Sequence, residues 1–126
     1  MTPDEIRKNT GKGGEEVACQ FLARKGYKVI ERNYRRKWGE IDIIAIKNNT
    51  VRFVEVKAVS RESEAYRPEE LLHVTKLRKV ARTAALYMAS HKDEREYQVD
   101  AVTVVMNQET HMARCRLFEQ VLESNL

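Results

Sequence analysis

Two cysteines, two prolines and five glycines are all that the chain contains of the three residue types that most alter what a backbone can do, by cross-linking, fixing or freeing it. Cys19 and Cys115 lie far apart, each among apolar or basic neighbours, so no disulfide framework is suggested and a reducing cytoplasm is the expected location. The scarcity of proline and glycine, with no low-complexity tract, linker or internal repeat, excludes fibrous, linker-rich and solenoid architectures. No apolar run approaches the roughly 18 residues of a membrane span, and Met-Thr-Pro-Asp-Glu lacks the basic-then-apolar order of a signal peptide. Neither membrane insertion nor export is expected. The three histidines, His73, His91 and His111, show no metal-ligand spacing with each other or with the cysteines, which argues against a structural zinc or a Cys-His nucleophile. Gly11, Gly13 and Gly14 follow no strand and precede no Gly-Lys-Ser/Thr, so a phosphate loop is not expected. They read as a tight chain entry that aims Glu15.

What is present fits one folded domain. Hydrophobic residues make up 42% and charged residues 33%, a balance that disordered chains do not show. The 126 residues can bury one core but not two of typical size, so core and site must share one fold. The net charge of +4 is uneven: residues 1–57 hold 13 Lys/Arg against 8 Asp/Glu, and residues 58–126 hold 10 against 11. A basic first half favours a polyanionic partner, because each phosphate neutralised by Lys or Arg releases condensed counterions. An ordinary soluble protein with a few extra lysines carries the same excess, so charge alone does not decide.

Hydrophobic spacing divides the chain into alternating elements. Thr2 before Pro3, Asp4 and Glu5 has the form of a helix start, but Gly11, Gly13 and Gly14 weaken a helix through them. Val17, Ala18, Phe21 and Leu22 then recur at helical spacing up to a stop at Gly26, which predicts a helix over 14–25. YKVIER at 27–32 reads as a strand, followed by a basic, aromatic-bearing connection from Asn33 to Gly39. EIDIIAI at 40–46 and VRFVEVKA at 51–58 are strands by their β-branched content, joined by the hairpin-like turn Lys47-Asn48-Asn49-Thr50. Both are apolar on both faces, as in a sheet covered by helices on each side. Residues 60–67 read as a polar, mobile loop. Pro68-Glu69-Glu70 then opens a long helix with Leu71, Val74, Leu77, Ala81, Ala84 and Met88 along one stripe. A strand follows at 97–106, and a last one around 112–115 leads into a short helix ending at Leu122. The fold class is α/β.

The candidate chemistry lies on the two central strands. Residues two apart in a strand share a face, so Glu55 and Lys57 project together, as do Glu40 and Asp42, and antiparallel neighbours can bring the pairs within reach. Their sequence neighbours are Ile41, Ile43, Ile44, Val54 and Val56, surroundings in which an ionised carboxylate is costly unless compensated. A divalent cation is one compensation. Asp42 and Glu55, with the Val56 carbonyl and waters, suit Mg²⁺ or Mn²⁺, which bind substrate phosphate directly, and Glu15 could join through a water. Lys57 could orient or activate the attacking water and stabilise the transition state. The tripeptide Glu55-Val56-Lys57 alone fits a surface ion pair better. It is the ordered set that points to chemistry: a helix glutamate, Gly-Glu-Ile-Asp on one strand, a short hairpin, and Phe-Val-Glu-Val-Lys on its partner.

Taken together, Gly11-Lys12-Gly13-Gly14-Glu15-Glu16-Val17-Ala18, Asn33-Tyr34-Arg35, Gly39-Glu40-Ile41-Asp42, Phe53-Val54-Glu55-Val56-Lys57, Val74-Thr75-Lys76, Ala84-Ala85-Leu86-Tyr87 and Val99-Asp100-Ala101-Val102 resemble the landmarks of the YraN-type uncharacterised bacterial family over nearly the full chain. That family is similar to the PD-(D/E)XK nucleases, with archaeal Holliday junction resolvases as functional relatives. The resemblance implies a restriction-endonuclease-like core, a mixed central β-sheet flanked by α-helices. It also implies Glu15, Asp42, Glu55 and Lys57 as helix glutamate, metal aspartate, metal glutamate and catalytic lysine, and a homodimer if the resolvase analogy holds. One departure stands out: the family often carries an arginine shortly after the lysine, whereas this chain has Ala58-Val59-Ser60 and Arg61 two positions late.

Arg35, Arg36, Lys37 and Trp38 precede the metal strand, and basic residues with an aromatic can hold phosphate and stack on a splayed base; a solvated loop anchored by its Trp reads equally well. Lys76, Lys79 and Arg82 could track a nucleic-acid backbone along one helix face, against the stronger reading of a solvated charged surface. Asp100, mid-strand among Val99, Ala101 and Val102, reads as a structural hydrogen-bonding group. The expected function is Mg²⁺- or Mn²⁺-dependent phosphodiester hydrolysis on structured or branched DNA. The competing class is a nucleic-acid-binding module with a nuclease-like fold and no turnover.

Overall fold

The β-branched run around Asn48-Asn49 folds as a hairpin because both asparagines adopt positive φ, 52° and 57°, between the paired residues Lys47 and Thr50. That two-residue turn has the twist its strands need. The computed structural model describes residues 3–60, 72–107 and 109–122, with side chains from Gly13 onward. Its elements are α1 (Pro3–Arg24), β1 (Lys28–Arg36), β2 (Gly39–Lys47), β3 (Thr50–Val59), α2 (Val74–Ser90), β4 (Tyr97–Asn107) and β5 (Met112–Phe118). The five strands form one sheet in sequence order. Only β3 and β4 pair in parallel, and α2 is their crossover.

One helix covers each face. Ala18, Cys19 and Leu22 of α1 pack on Ile43, Ala45, Val54, Val102 and Val104. Leu77, Val80, Ala84, Tyr87 and Met88 of α2 pack on Tyr34, Ile41, Ile44, Val51, Phe53 and Val99. This is the two-sided covering that the unbroken apolar strands predict. Full burial of a side chain such as Leu22 or Phe53 contributes about 1.5–3 kcal/mol relative to leaving it in water. Among the described residues no helix is long and apolar enough to cross a membrane.

Several boundaries differ from the sequence reading, each for a physical reason. Helix α1 runs unbroken from Pro3 through all three glycines instead of starting at Gly14. Gly14 is buried against Ala58 of β3, where any added Cβ would overlap the Ala58 methyl, so close packing replaces helix propensity as the reason for glycine. Strand β1 continues to Arg36 and absorbs most of the expected connection, because Tyr34 is buried opposite Ile41 while the charges of this edge strand point outward. Helix α2 begins at Val74 with His73 as its N-cap; residues 72–73 are not helical, and the expected start at Pro68 and the loop before it lie outside the described residues. Val74 is exposed, and Val80, Thr83 and Tyr87 take places in the buried stripe. No helix follows β5 over 119–122. Val121 instead donates its N–H to the Val99 carbonyl at 2.9 Å, and Val121 and Leu122 pack on the α2-side core.

Gly14→Ala should therefore destabilise the protein by about 1–3 kcal/mol through overpacking, the reverse of the gain of roughly 0.5–1 kcal/mol expected in an open helix. Ala58→Gly in the same chain should recover part of the loss. Urea unfolding of the two single variants and the double variant measures this, and a more stable Gly14→Ala would refute it.

Candidate functional site

The site forms where two strands part. Pairing of β2 with β3 ends at Ile43 and Val54, whereas pairing of β3 with β4 continues from Val51 to Val59. Glu55, Val56 and Lys57 are thus held in an extended strand from one side only. Side-chain alternation on β2 slips at the same place: Ile41 and Ile43, two apart, lie in opposite cores. Asp42, between them, turns into the fork and accepts a 2.8 Å hydrogen bond from the Val56 N–H. In a strand the N–H and C=O of one residue point the same way, so the Val56 carbonyl also faces the fork.

Burial raises the Asp42 pKa; the Val56 N–H opposes this, Glu15 and Glu40 add to it, and Lys76 counters them. The Asp42 Oδ1 atom has no hydrogen bond among the described residues, since only Oδ2 meets Val56. Glu55 is half-buried, and its pKa is pushed up to about 7, first by burial and then by Asp42 and Glu40, with Lys76 and Lys57 opposing. The structure offers Glu55 no hydrogen bond or ion pair among the described residues. Lys57 is exposed beside it, opposite Thr103 of β4. Glu15 on α1 is half-buried, and the Asn33 amide, in the orientation that satisfies both groups, donates to its two carboxylate oxygens at 3.1 and 3.0 Å.

Asp42, Glu55, Lys76 and Glu40 therefore share one electrostatic field, with Glu15 acting on Asp42 and Lys57 on Glu55. Among the described residues no three His, Cys, Asp or Glu side chains gather as a ready-made metal cage. The donors on hand are two carboxylates and a backbone carbonyl. These are hard oxygens, few in number, and they fit Mg²⁺ or Mn²⁺, which retain several waters, better than zinc.

The basic residues converge as well. Arg35, Arg36 and Lys37 from the β1–β2 hairpin and Lys76, Lys79 and Arg82 from α2 line one depression of about 380 Å³. Glu40 lies in its wall, bonded to Arg35 and, at 3.2 Å, to Lys76. Arg36 also stacks 4.3 Å over the Tyr34 ring. Arg61, the arginine that stands two positions later than the family pattern, lies outside the described residues.

Sequence reasoning missed three contributors. Asn33 holds Glu15 from 18 residues away in a left-handed conformation (φ 53°), which spacing cannot reveal. Lys76 was read only as a backbone contact, but it faces the carboxylates, and Glu55 and Glu40 hold its pKa up against burial. Thr83 sits against Gly39, where any Cβ would strike its hydroxyl, and this lets α2 lie close to the β1–β2 turn.

A five-stranded mixed sheet with a helix on each face is consistent with a restriction-endonuclease-like core. The chain belongs to the uncharacterised protein family UPF0102, whose family model matches residues 14–104, in agreement with the resemblance read from the motifs. It is 45% identical over 93 residues to a UPF0102 protein of Thermotoga petrophila, a match covering 74% of this chain and 83% of that one. A UPF0102 protein of Helicobacter hepaticus is 34% identical over 114 residues, 90% and 94% of the two chains. One from Caldicellulosiruptor saccharolyticus is 40% identical over 102 residues, 80% and 86%.

A carboxyl whose folded pKa is raised binds its proton more tightly when folded, so its contribution to stability is present below the unfolded value and lost as pH rises through the folded one. For Glu55 that window runs from 4.5 to about 7. Glu55→Gln should flatten the decline across it and be more stable than wild type at pH 8 by roughly 1–3 kcal/mol. Urea titrations at pH 5 and pH 8 in chelator test this. A variant with the wild-type pH dependence would show that Glu55 is not strained.

Proposed function

We propose that this protein is a Mg²⁺- or Mn²⁺-dependent endonuclease that hydrolyses phosphodiesters in structured or branched DNA, working in the cytoplasm as a homodimer. The observation that carries the reading is Glu55, a half-buried carboxylate without a partner among the described residues, raised to about 7 beside Asp42 and the fork-facing Val56 carbonyl. A proton or a hard cation relieves such a group, and the six cations of the neighbouring depression suit the phosphates of a substrate.

In this reading Asp42, Glu55 and the Val56 carbonyl hold the ion. When bound, the ion supplies neutralisation of charge developing on the phosphate and acidifies water. Lys57, extended from the same strand, donates to a phosphate oxygen or holds the attacking water in line. Asn33 keeps Glu15 aimed at the site, where its carboxylate can accept from that water. Lys76 balances the carboxylates before substrate arrives. A second reading, a nucleic-acid-binding module without turnover, draws on the lack of a three-ligand cage among the described residues.

Linear, flapped and four-way-junction DNA, incubated with Mg²⁺, Mn²⁺ or chelator, separates the two. Asp42→Asn keeps an acceptor for the Val56 N–H, so it removes charge without opening the fork; with Lys57→Ala it should lower cleavage at least about 100-fold. Equal product from wild type and both variants would mean a contaminant. Binding that weakens steeply with salt, without cleavage of any substrate, would leave the module reading.

A further inference from the structure

Trp38 is the only tryptophan of the chain, and the fold does not bury it. It occupies the two-residue turn between β1 and β2 and remains 48% exposed. The turn itself is held firmly. The Thr83 hydroxyl lies 3.5 Å from the Trp38 carbonyl and 3.0 Å from that of Lys79, and Gly39 is backed so closely on Thr83 that no side chain fits. A fixed backbone thus presents a large flat ring to solvent.

Trp38 lines the depression of about 380 Å³ together with cations from the β1–β2 hairpin and from α2. Arg35 and Lys76 are committed to Glu40, but among the described residues Arg36, Lys37, Lys79 and Arg82 have no carboxylate partner. A small phosphate anion would use these cations and leave the indole idle. A continuous duplex would do the same, since its bases are stacked on each other. A strand with an unpaired base uses both, phosphates on the cations and base on the ring, the combination by which single-stranded nucleic acid is held without sequence preference. The depression also shares Glu40 and Lys76 with the field around Asp42 and Glu55, so a nucleotide seated there lies next to the carboxylates.

We propose that the Trp38 turn and its flanking cations form a subsite for an unpaired nucleotide of a DNA strand, its base stacked on the indole and its phosphates on Arg36, Lys37, Lys79 and Arg82. The subsite directs the protein to borders between single and double strand. Its place beside a scissile phosphate rests on the nuclease reading; the binding itself needs neither metal nor turnover.

Because Trp38 is the sole tryptophan, its fluorescence reports on the subsite directly. The full chain in chelator is titrated with oligo(dT), an abasic deoxyribose-phosphate oligomer of equal length, and a blunt duplex. Oligo(dT) should quench Trp38, and the other two should bind without comparable quenching. By fluorescence anisotropy of labelled strands, Trp38→Ala should weaken oligo(dT) binding about 10-fold or more while changing abasic and duplex binding less than about 2-fold, with Trp38→Phe in between. Equal quenching by all three ligands, or an equal loss for all three in Trp38→Ala, would overturn the subsite and reduce Trp38 to an anchor of the turn. If wild type cuts no DNA yet shows selective quenching, the subsite stands and the nuclease reading falls. If wild type cuts but Trp38→Ala binds oligo(dT) normally, the subsite falls alone.

Discussion

The hydrogen bond from the Val56 N–H to Asp42 governs the geometry of the fork around which the carboxylates are placed. Two antiparallel strands that part leave backbone groups unpaired along the open edge, and a partly buried N–H without a partner costs about 1–3 kcal/mol. Asp42 takes that N–H and lets β2 part from β3 beyond the Ile43–Val54 pair. The same act turns the carboxylate into the gap, beside the Val56 carbonyl and the Glu55 side chain. Fork and carboxylate pair are therefore one feature, since the acceptor that closes the N–H is itself the acid that raises the Glu55 pKa.

Once the fork exists, charge balance sets its character. Four carboxylates, Asp42, Glu55, Glu15 and Glu40, act within one field, and Lys76 does more than Lys57 to hold Glu55 down. The crossover topology makes that possible: α2 must begin near the end of β3 to return to β4, so its first turn arrives at the fork and brings Lys76 with it. The same approach, made close by Gly39 against Thr83, joins the cations of α2 to those of the β1–β2 hairpin. Residues about 40 apart in sequence thus line one depression because a glycine removes the side chain that would keep a helix and a hairpin apart.

What the sequence made legible follows from periodicity, and what it hid follows from contacts periodicity does not encode. The apolar strands, the Asn48-Asn49 turn and the covering helices were readable because two-residue and helical spacing report directly on faces. Helix α1 was read too short because Gly11, Gly13 and Gly14 lower local propensity, whereas tertiary packing of Gly14 on Ala58 favours glycine there. Arg35 and Arg36 were read as loop because charge suggests solvent, yet an edge strand has an outward face for charges while Tyr34 anchors it inside. At the site, Asp42, Glu55 and Lys57 stood out as costly charges among isoleucines and valines. The slip at Asp42 and the bond from Asn33 to Glu15 did not, because strand alternation assumes a regular ladder and a positive-φ asparagine announces only a bend.

Asp100 shows what the fold does with a carboxylate it needs only for structure. It is fully buried, and it accepts from the Tyr27 hydroxyl at 2.8 Å, the Gln98 amide at 2.7 Å and the Gln120 N–H at 2.9 Å, with Arg52 at 3.4 Å. Burial, and then the bond to Asp100, push the Tyr27 hydroxyl pKa up. Every lone pair there has a donor, and the cluster ties β3, β4, the α1–β1 connection and the segment after β5 together. Glu55 lies on β3 only three residues beyond Arg52, in the same sheet and the same chemistry of side chains, and it has no donor among the described residues. A protein able to surround one acid so completely is not short of donors; leaving the other strained costs stability at neutral pH, and any proton or cation that relieves the strain gains affinity by the same amount.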